Sequence, residues 1–244
     1  MREGDSNHVL PPPEEKASRV RRMFGEIAPR YDLLNHLLTL NIDRRWRRKA
    51  VRYLLEDAPP GGRWLDACAG TMDLAAAVAA SPGFDGFVVA SDFAWPMLAA
   101  GRHKVRDMPV AETCADALRL PHPDGSFQGA IVGFGVRNFA DLDAGLGELT
   151  RVLQPGGRLV ILELSTPAWA PLRRLYNLYF TRLLPWIGRR ISGHGTAYSY
   201  LPASVGVFPP PAELAERMAA AGLTDVTYER LLAGIAAIHV GVRP

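Results

Sequence analysis

Between residues 63 and 164 the chain alternates four short apolar runs with three helical stretches, and few architectures accept that rhythm. The runs "RWLDACA", "GFVVASDF", "GAIVGFGV" and "RLVILEL" are short, rich in β-branched or aromatic residues, and bounded by Gly, Pro or Asp, which is the pattern of strands buried on both faces. Helical spacing fills 73–80, 96–106 and 142–153. Strand, helix and parallel strand close only by right-handed crossovers, so the expected fold is α/β: a doubly wound, mostly parallel sheet with helices on both sides. Ligands of such sheets gather beyond the carboxyl ends of the strands.

The flanks follow another pattern. Residues 1–17 are polar, charged and broken by prolines, and are expected to form a loose tail ahead of a single domain over 18–244. Within that domain 18–60 reads as a helical cap and 168–200 as a helical insertion before one more helix and two closing strands. Of the 244 residues 48% are hydrophobic and 22% charged, enough apolar material for a sizeable core. A net charge of +3, from 28 basic and 25 acidic residues, is too small a surplus to mark a nucleic-acid binder. Two distant cysteines and scattered histidines offer no metal-ligand spacing, so no metal is expected. The start has no apolar leader segment and no run of about 18 apolar residues occurs, which points to a cytoplasmic protein.

The loop after the first strand sets the ligand class. A dinucleotide site needs G-x-G-x-x-G so that bare backbone can approach a pyrophosphate. In "WLDACAGTMDLA" only Gly70 remains, which disfavours NAD and FAD and leaves room for a nucleoside without phosphates. Asp92 ends the second strand at the spacing where a carboxylate accepts ribose hydroxyls. Asp116 in "ADALRLP" is placed for an adenine amino group, with Ala117 leaving space for the ring, and Asp66 for a cationic amino group. Taken singly, an aspartate at a strand end is more often a helix cap or loop hydrogen-bonder; three in this frame favour S-adenosylmethionine.

Several segments, "MFGEIAPRYDLLNHLLTLNIDRRWRR", "LDACAGTMDLA", "FGVRNFADLDAGLGELTRVLQPGGRLVILELS" and "YSYLPASVGVFPPPAELAERMAAAGL" with "GIAAIHVG", resemble the ubiquinone/menaquinone biosynthesis C-methyltransferases. "YDLLN", "FGVRN" and "SYLPASV" are the specific ones; the glycine loop is shared by all class I methyltransferases. The resemblance implies that Thr71, Asp92, Asp116 and Ala117 contact S-adenosylmethionine, with the Gly133 backbone passing beside it. It also implies a polyprenylated quinol substrate, with Tyr31, Asp32, Asn35 and Tyr200 facing that substrate. Three residues depart from the family pattern: Met72 stands for glycine, Leu34 for methionine and Asp43 for histidine. A side chain at 72 obstructs the loop if a positive φ turns it toward the ligand, and packs aside if it lies in the first helical turn.

On this reading a phenolate pushes electrons onto the adjacent ring carbon, which takes the sulfonium methyl group. Arg137 stabilises the phenolate while a water removes the proton, and Asn138 orients the hydroxyl or the water. The competing role for Arg137 is an ion pair with Asp141 or Asp143. The stretch 169–191 interleaves aromatics with arginines, as in a pocket lid, a helix on an anionic membrane face, or an amphipathic helix packed on the sheet. A homodimer stays open. Two other functions compete: methyl transfer to a different lipid or small molecule, and a silent quinone-binding homologue whose Met72 blocks the cofactor.

Overall fold

The computed structural model describes residues 10–33, 39, 41–167, 169–178 and 195–244. The apolar runs form β1 (Arg63–Ala67), β2 (Phe87–Asp92), β3 (Val110–Cys114), β4 (Phe127–Gly133) and β5 (Leu153–Leu164). The crossing helices are α3 (Asp73–Ala79), α4 (Trp95–Val105) and α5 (Leu142–Val152), preceded by α1 (Pro13–Ile27) and α2 (Asp43–Leu55). The chain ends with α6 (Ala170–Leu178), α7 (Gly195–Val207), α8 (Pro211–Ala220), β6 (Thr224–Leu231) and β7 (Ala236–Val242). The described strands form one seven-stranded sheet in the order β3-β2-β1-β4-β5-β7-β6. Every pairing is parallel except those of β7, which runs antiparallel to β5 and β6. The strand order reverses between β1 and β4, so a crevice opens at their carboxyl ends.

Two apolar layers cover the sheet. One joins Trp46, Leu54, Leu74 and Val78 to the strand residues Val88, Ile131 and Val160; the other joins Leu146, Leu149, Leu214 and Met218 to Leu65, Ala130 and Leu159. Period-two alternation along each strand sends successive side chains to opposite layers.

One expectation needs correction. The loose tail assigned to 1–17 does not reach Ala17, because Pro13–Ile27 is the helix α1. Proline suits the first helical turn, where its missing N–H is not needed, and Glu14 and Glu15 face the positive end of the helix dipole. Lys16 then anchors the helix, its Nζ donating to the carbonyls of Phe139 (2.5 Å) and Arg137 (3.3 Å). Burial pulls its pKa down.

Met72 combines both outcomes foreseen for it. Its backbone is left-handed (φ 62°, ψ 28°), the conformation in which the family's usual glycine is free of strain, and it immediately precedes α3. Its side chain is nevertheless fully buried in the layer with Leu74, Ala75 and Val78, away from the crevice. Packing of a flexible thioether therefore offsets a left-handed penalty of roughly 1–2 kcal/mol. Met72→Ala keeps the strain and loses the packing, at a cost of about 2–4 kcal/mol, whereas Met72→Gly loses the packing and relieves the strain. Chemical denaturation should rank wild type above the glycine variant and glycine above alanine by about 1 kcal/mol; alanine ranking above glycine would refute this account.

Candidate active site

The crevice holds a pocket of about 640 Å³ counted with its open mouth. Gly70, Asp92, Asp116, Ala117, Gly133, Asn138 and Tyr31, all singled out from the sequence, line it. Phe93, Met97 and Leu118 supply apolar wall, and Ala17 and Phe24 bring α1 over the opening. Among the described lining residues the charged ones are Asp92 and Asp116, and no lysine or arginine reaches the wall. That wall suits a cationic, phosphate-free ligand and repels a pyrophosphate.

Asp92 organises the floor. Its Oδ2 accepts from the Gly70 N–H at 2.9 Å and its Oδ1 from the Ala94 N–H at 2.8 Å, so one carboxylate clamps the loops that follow β1 and β2. Burial raises its pKa to about 6 against the opposing pull of those two donors. Gly70 adopts φ +55°, and a Cβ there would come within 3.3 Å of Met97. Behind the loop, Gly101 lets α4 press on the Thr71 backbone; a Cβ would fall 2.2 Å from the Thr71 carbonyl oxygen. Asp116 spends Oδ1 on the Leu118 N–H at 3.0 Å and keeps Oδ2 for other donors.

Five expected contacts are not on the wall: Asp66, Thr71 and Asp32 face other partners, and Arg137 and Tyr200 are buried outside the lining. Asp66 does not line the pocket: fully buried in β1, its Oδ2 accepts from the Ala75 N–H (2.8 Å) in the first turn of α3, and its Oδ1 has no partner among the described residues. It serves as a helix cap supplied from a strand. Thr71 turns from the pocket and donates to Asp32 Oδ1 at 2.6 Å, while Lys104 donates to its hydroxyl at 3.0 Å. Asp32 likewise faces this network, with Lys104 Nζ 2.6 Å from its Oδ2. The network continues through Asp73, 2.6 Å from Lys104, to Arg47 and buried Asp43. Arg47 stacks over Phe134 and pairs with Asp43, the residue standing in the histidine position. Asn35 lies outside the described residues, as does the stretch 179–191 of the aromatic insertion.

The register that pairs Gly133 with Leu162 sets the turn after β4 over the tip of β5. There Arg137 meets Glu163, its Nη1 2.7 Å from Oε1 and its backbone N–H 3.3 Å from Oε2. The pairing replaces the one foreseen with Asp141 or Asp143: Asp141 caps α5 at the Ala144 N–H and Asp143 pairs with Arg217. Burial works against the Arg137 charge, and Glu163 together with Tyr31 and Tyr200 more than offsets it. Asn138 lies on the pocket wall, and the buried Tyr200 hydroxyl donates to its Oδ1 at 3.1 Å. Burial pushes Tyr200 up to about 12 and Tyr176, under the influence of the same ion pair, further still. Glu163, Lys104 and Lys16 went unnoticed in the sequence; a carboxylate inside the apolar run "RLVILEL" was the readable signal for Glu163.

A mostly parallel sheet with an acidic crevice at its switch point defines the class I methyltransferase type. The similarities narrow this further: the ubiE/COQ5 methyltransferase family model matches residues 13–243, and the chain belongs to that family. It is 53% identical to a demethylmenaquinone methyltransferase of Thermus thermophilus, over 91% of this chain and all of that one. With a ubiquinone/menaquinone biosynthesis C-methyltransferase of Geobacter sulfurreducens it shares 44% over 93% of this chain and 89% of that one. A solved S-adenosylmethionine-dependent methyltransferase from Thermotoga maritima has the same fold, with TM-score 0.59, 17% identity, and 91% and 100% of the two chains covered.

The buried Asp66 gives a test of the scaffold. Burial raises its pKa to about 7. A carboxyl group raised above its unfolded value contributes stability in full below about pH 4 and loses it as pH climbs through the folded pKa. The melting-temperature difference between Asp66→Asn and wild type should therefore move in favour of the variant from pH 4 to pH 8; a difference independent of pH would contradict this assignment.

Proposed function

We propose that this protein methylates a ring carbon of a polyprenylated hydroquinone, demethylmenaquinol, with S-adenosylmethionine as methyl donor. The observation that carries the reading is a pocket wall holding two carboxylates and no basic side chain, one turn away from a buried arginine. In it, Asp92 would hold the ribose hydroxyls, Asp116 the adenine amino group, and Phe93, Met97 and Leu118 the ring. When bound, the cofactor would supply an electrophilic methyl group.

The residues of the turn after β4 then act on the acceptor. A phenol with an ordinary pKa near 10 is a weak carbon nucleophile at neutral pH. Arg137, charged at every relevant pH, stabilises the phenolate while water carries off the proton. Asn138, its carbonyl oxygen occupied by Tyr200 and one amide hydrogen by the Phe134 carbonyl at 3.4 Å, presents its other amide hydrogen to the phenol oxygen or that water. Tyr31 closes the pocket from the N-terminal side. α6 bears exposed Leu178, Arg173 and Arg174 and is preceded by exposed Trp169, the chemistry of a helix resting on an anionic bilayer from which a prenylated quinol can be drawn. No helix among the described residues is long and apolar enough to cross a membrane.

Incubating the purified protein with reduced demethylmenaquinone and S-adenosylmethionine should yield menaquinol, and cells lacking the protein should accumulate the demethylated quinone. Saturable cofactor binding with methyl transfer only to some other acceptor would overturn the substrate; absence of saturable heat on titration with S-adenosylmethionine would overturn the enzyme. Replacing Asp92 by Asn should weaken cofactor binding about 10- to 100-fold at pH 8. Because the protonated carboxyl is a poorer acceptor, wild-type affinity should fall as pH drops below about 6, and the variant should lack that dependence.

A further inference from the structure

The Arg137 guanidinium is committed on one corner. Nη1 donates to Glu163 Oε1 at 2.7 Å and closely to the Phe134 carbonyl, while the backbone N–H of the same residue reaches Glu163 Oε2. The opposite edge differs. Nε is buried with no hydrogen-bond partner among the described residues, and the side chain is only 7% exposed. A buried N–H donor without an acceptor costs roughly 1–3 kcal/mol, and such orphans call for a specific occupant. The Nε edge is also the side-on edge of a guanidinium, the one suited to a planar or paired oxygen acceptor.

Glu163 holds the opposite corner. It sits 2% exposed at the tip of β5, where the register with β4 brings the turn of Arg137 over it. Its Oε1 also accepts from the Leu164 N–H at 2.8 Å, so the carboxylate is fixed by its own strand before it meets the arginine. Holding both the main chain and Nη1 of Arg137, it fixes the turn and the rotation of the guanidinium plane together.

We infer that Glu163 is a positioning residue for methyl transfer: by holding the Nη1 corner and the main-chain N–H of Arg137 it fixes the guanidinium, and with it the turn that carries Asn138 to the pocket wall. This rests on the functional reading above and adds a residue that acts through Arg137 and touches neither substrate nor cofactor. It separates two tasks that one arginine would otherwise share, charge balance inside the protein and charge stabilisation at the acceptor. The carboxylate also balances the guanidinium in the absence of substrate, so the cation is not buried alone.

The test is a double-mutant cycle in the methyl-transfer assay with demethylmenaquinol, alongside calorimetry with S-adenosylmethionine. Glu163→Gln should lower kcat at least about tenfold while leaving cofactor affinity within about twofold, and Glu163→Asp, which keeps the charge on a shorter arm, should recover part of the loss. Arg137→Lys loses the side-on edge and retains measurable turnover. In that background Glu163→Gln should cause little further loss in kcat, because its effect passes through the arginine. Additive losses in the cycle, or a parallel fall in cofactor affinity for both Glu163 variants, would overturn the inference and leave the methyltransferase reading intact. If Glu163→Gln fails to fold, the Glu163→Asp arm of the same cycle decides by the same criterion. A wild-type protein that transfers no methyl group overturns the functional reading and this inference with it.

Discussion

The site depends on one buried carboxylate spanning two loops. Asp92 takes the Gly70 N–H with one oxygen and the Ala94 N–H with the other, and so fixes the distance between the ends of β1 and β2. Everything in the crevice is referred to that clamp: the loop from Cys68 to Met72, left-handed at Cys68, Gly70 and Met72, the aromatic wall at Phe93, and the turn leading to Asp116. The arrangement has an electrostatic cost, because desolvation disfavours the ionised form and only two backbone dipoles oppose it. A carboxylate held under that tension gains from any ligand that brings hydroxyl donors to its remaining lone pairs. Scaffold and recognition therefore use the same side chain.

Around the clamp, charge is arranged in closed pairs that keep the pocket wall itself free of cations. Lys104 is consumed by Asp32 and Asp73, Arg47 by Asp43 and Asp73, and Arg137 by Glu163. The first two of these tie α2 and the segment after α1 to the start of α3, so the N-terminal cap is joined to the ligand loop by ion pairs as well as by apolar contact. Lys16 does the same for α1, seating it on the carbonyls of the turn that carries Arg137 and Asn138. Partly buried pairs of this kind confer geometry more than net stability, since desolvation offsets much of their attraction. Here the geometry is what matters.

Strand and helix periodicity made the sheet legible: the three central helices begin and end within one residue of where apolar spacing put them. Seven of the site residues read from the sequence line the pocket, because strand ends, glycine and acidic spacing are properties of local sequence joined to a known topology. Side-chain direction was not legible in the same way. Asp66, Thr71 and Asp32 sit next to the right places and face other partners, since hydrogen bonding to α3 and to Lys104 is a matter of tertiary contact that spacing does not encode. Met72 shows the limit most clearly. Its left-handed backbone was a recognised hazard, but only the packed layer around Leu74 and Val78 reveals that the thioether points into the core. The pairing of Arg137 with Glu163 spans 26 positions and depends on strand register, which the sequence does not state.

A crystal structure of the protein with S-adenosylhomocysteine tests the central claim most directly. The account predicts ribose hydroxyls within hydrogen-bond reach of Asp92, with the Gly70 and Ala94 N–H bonds retained and the Met72 side chain unmoved in the core. Density for the nucleoside outside the crevice, or a displaced Met72 needed to admit it, would contradict the account.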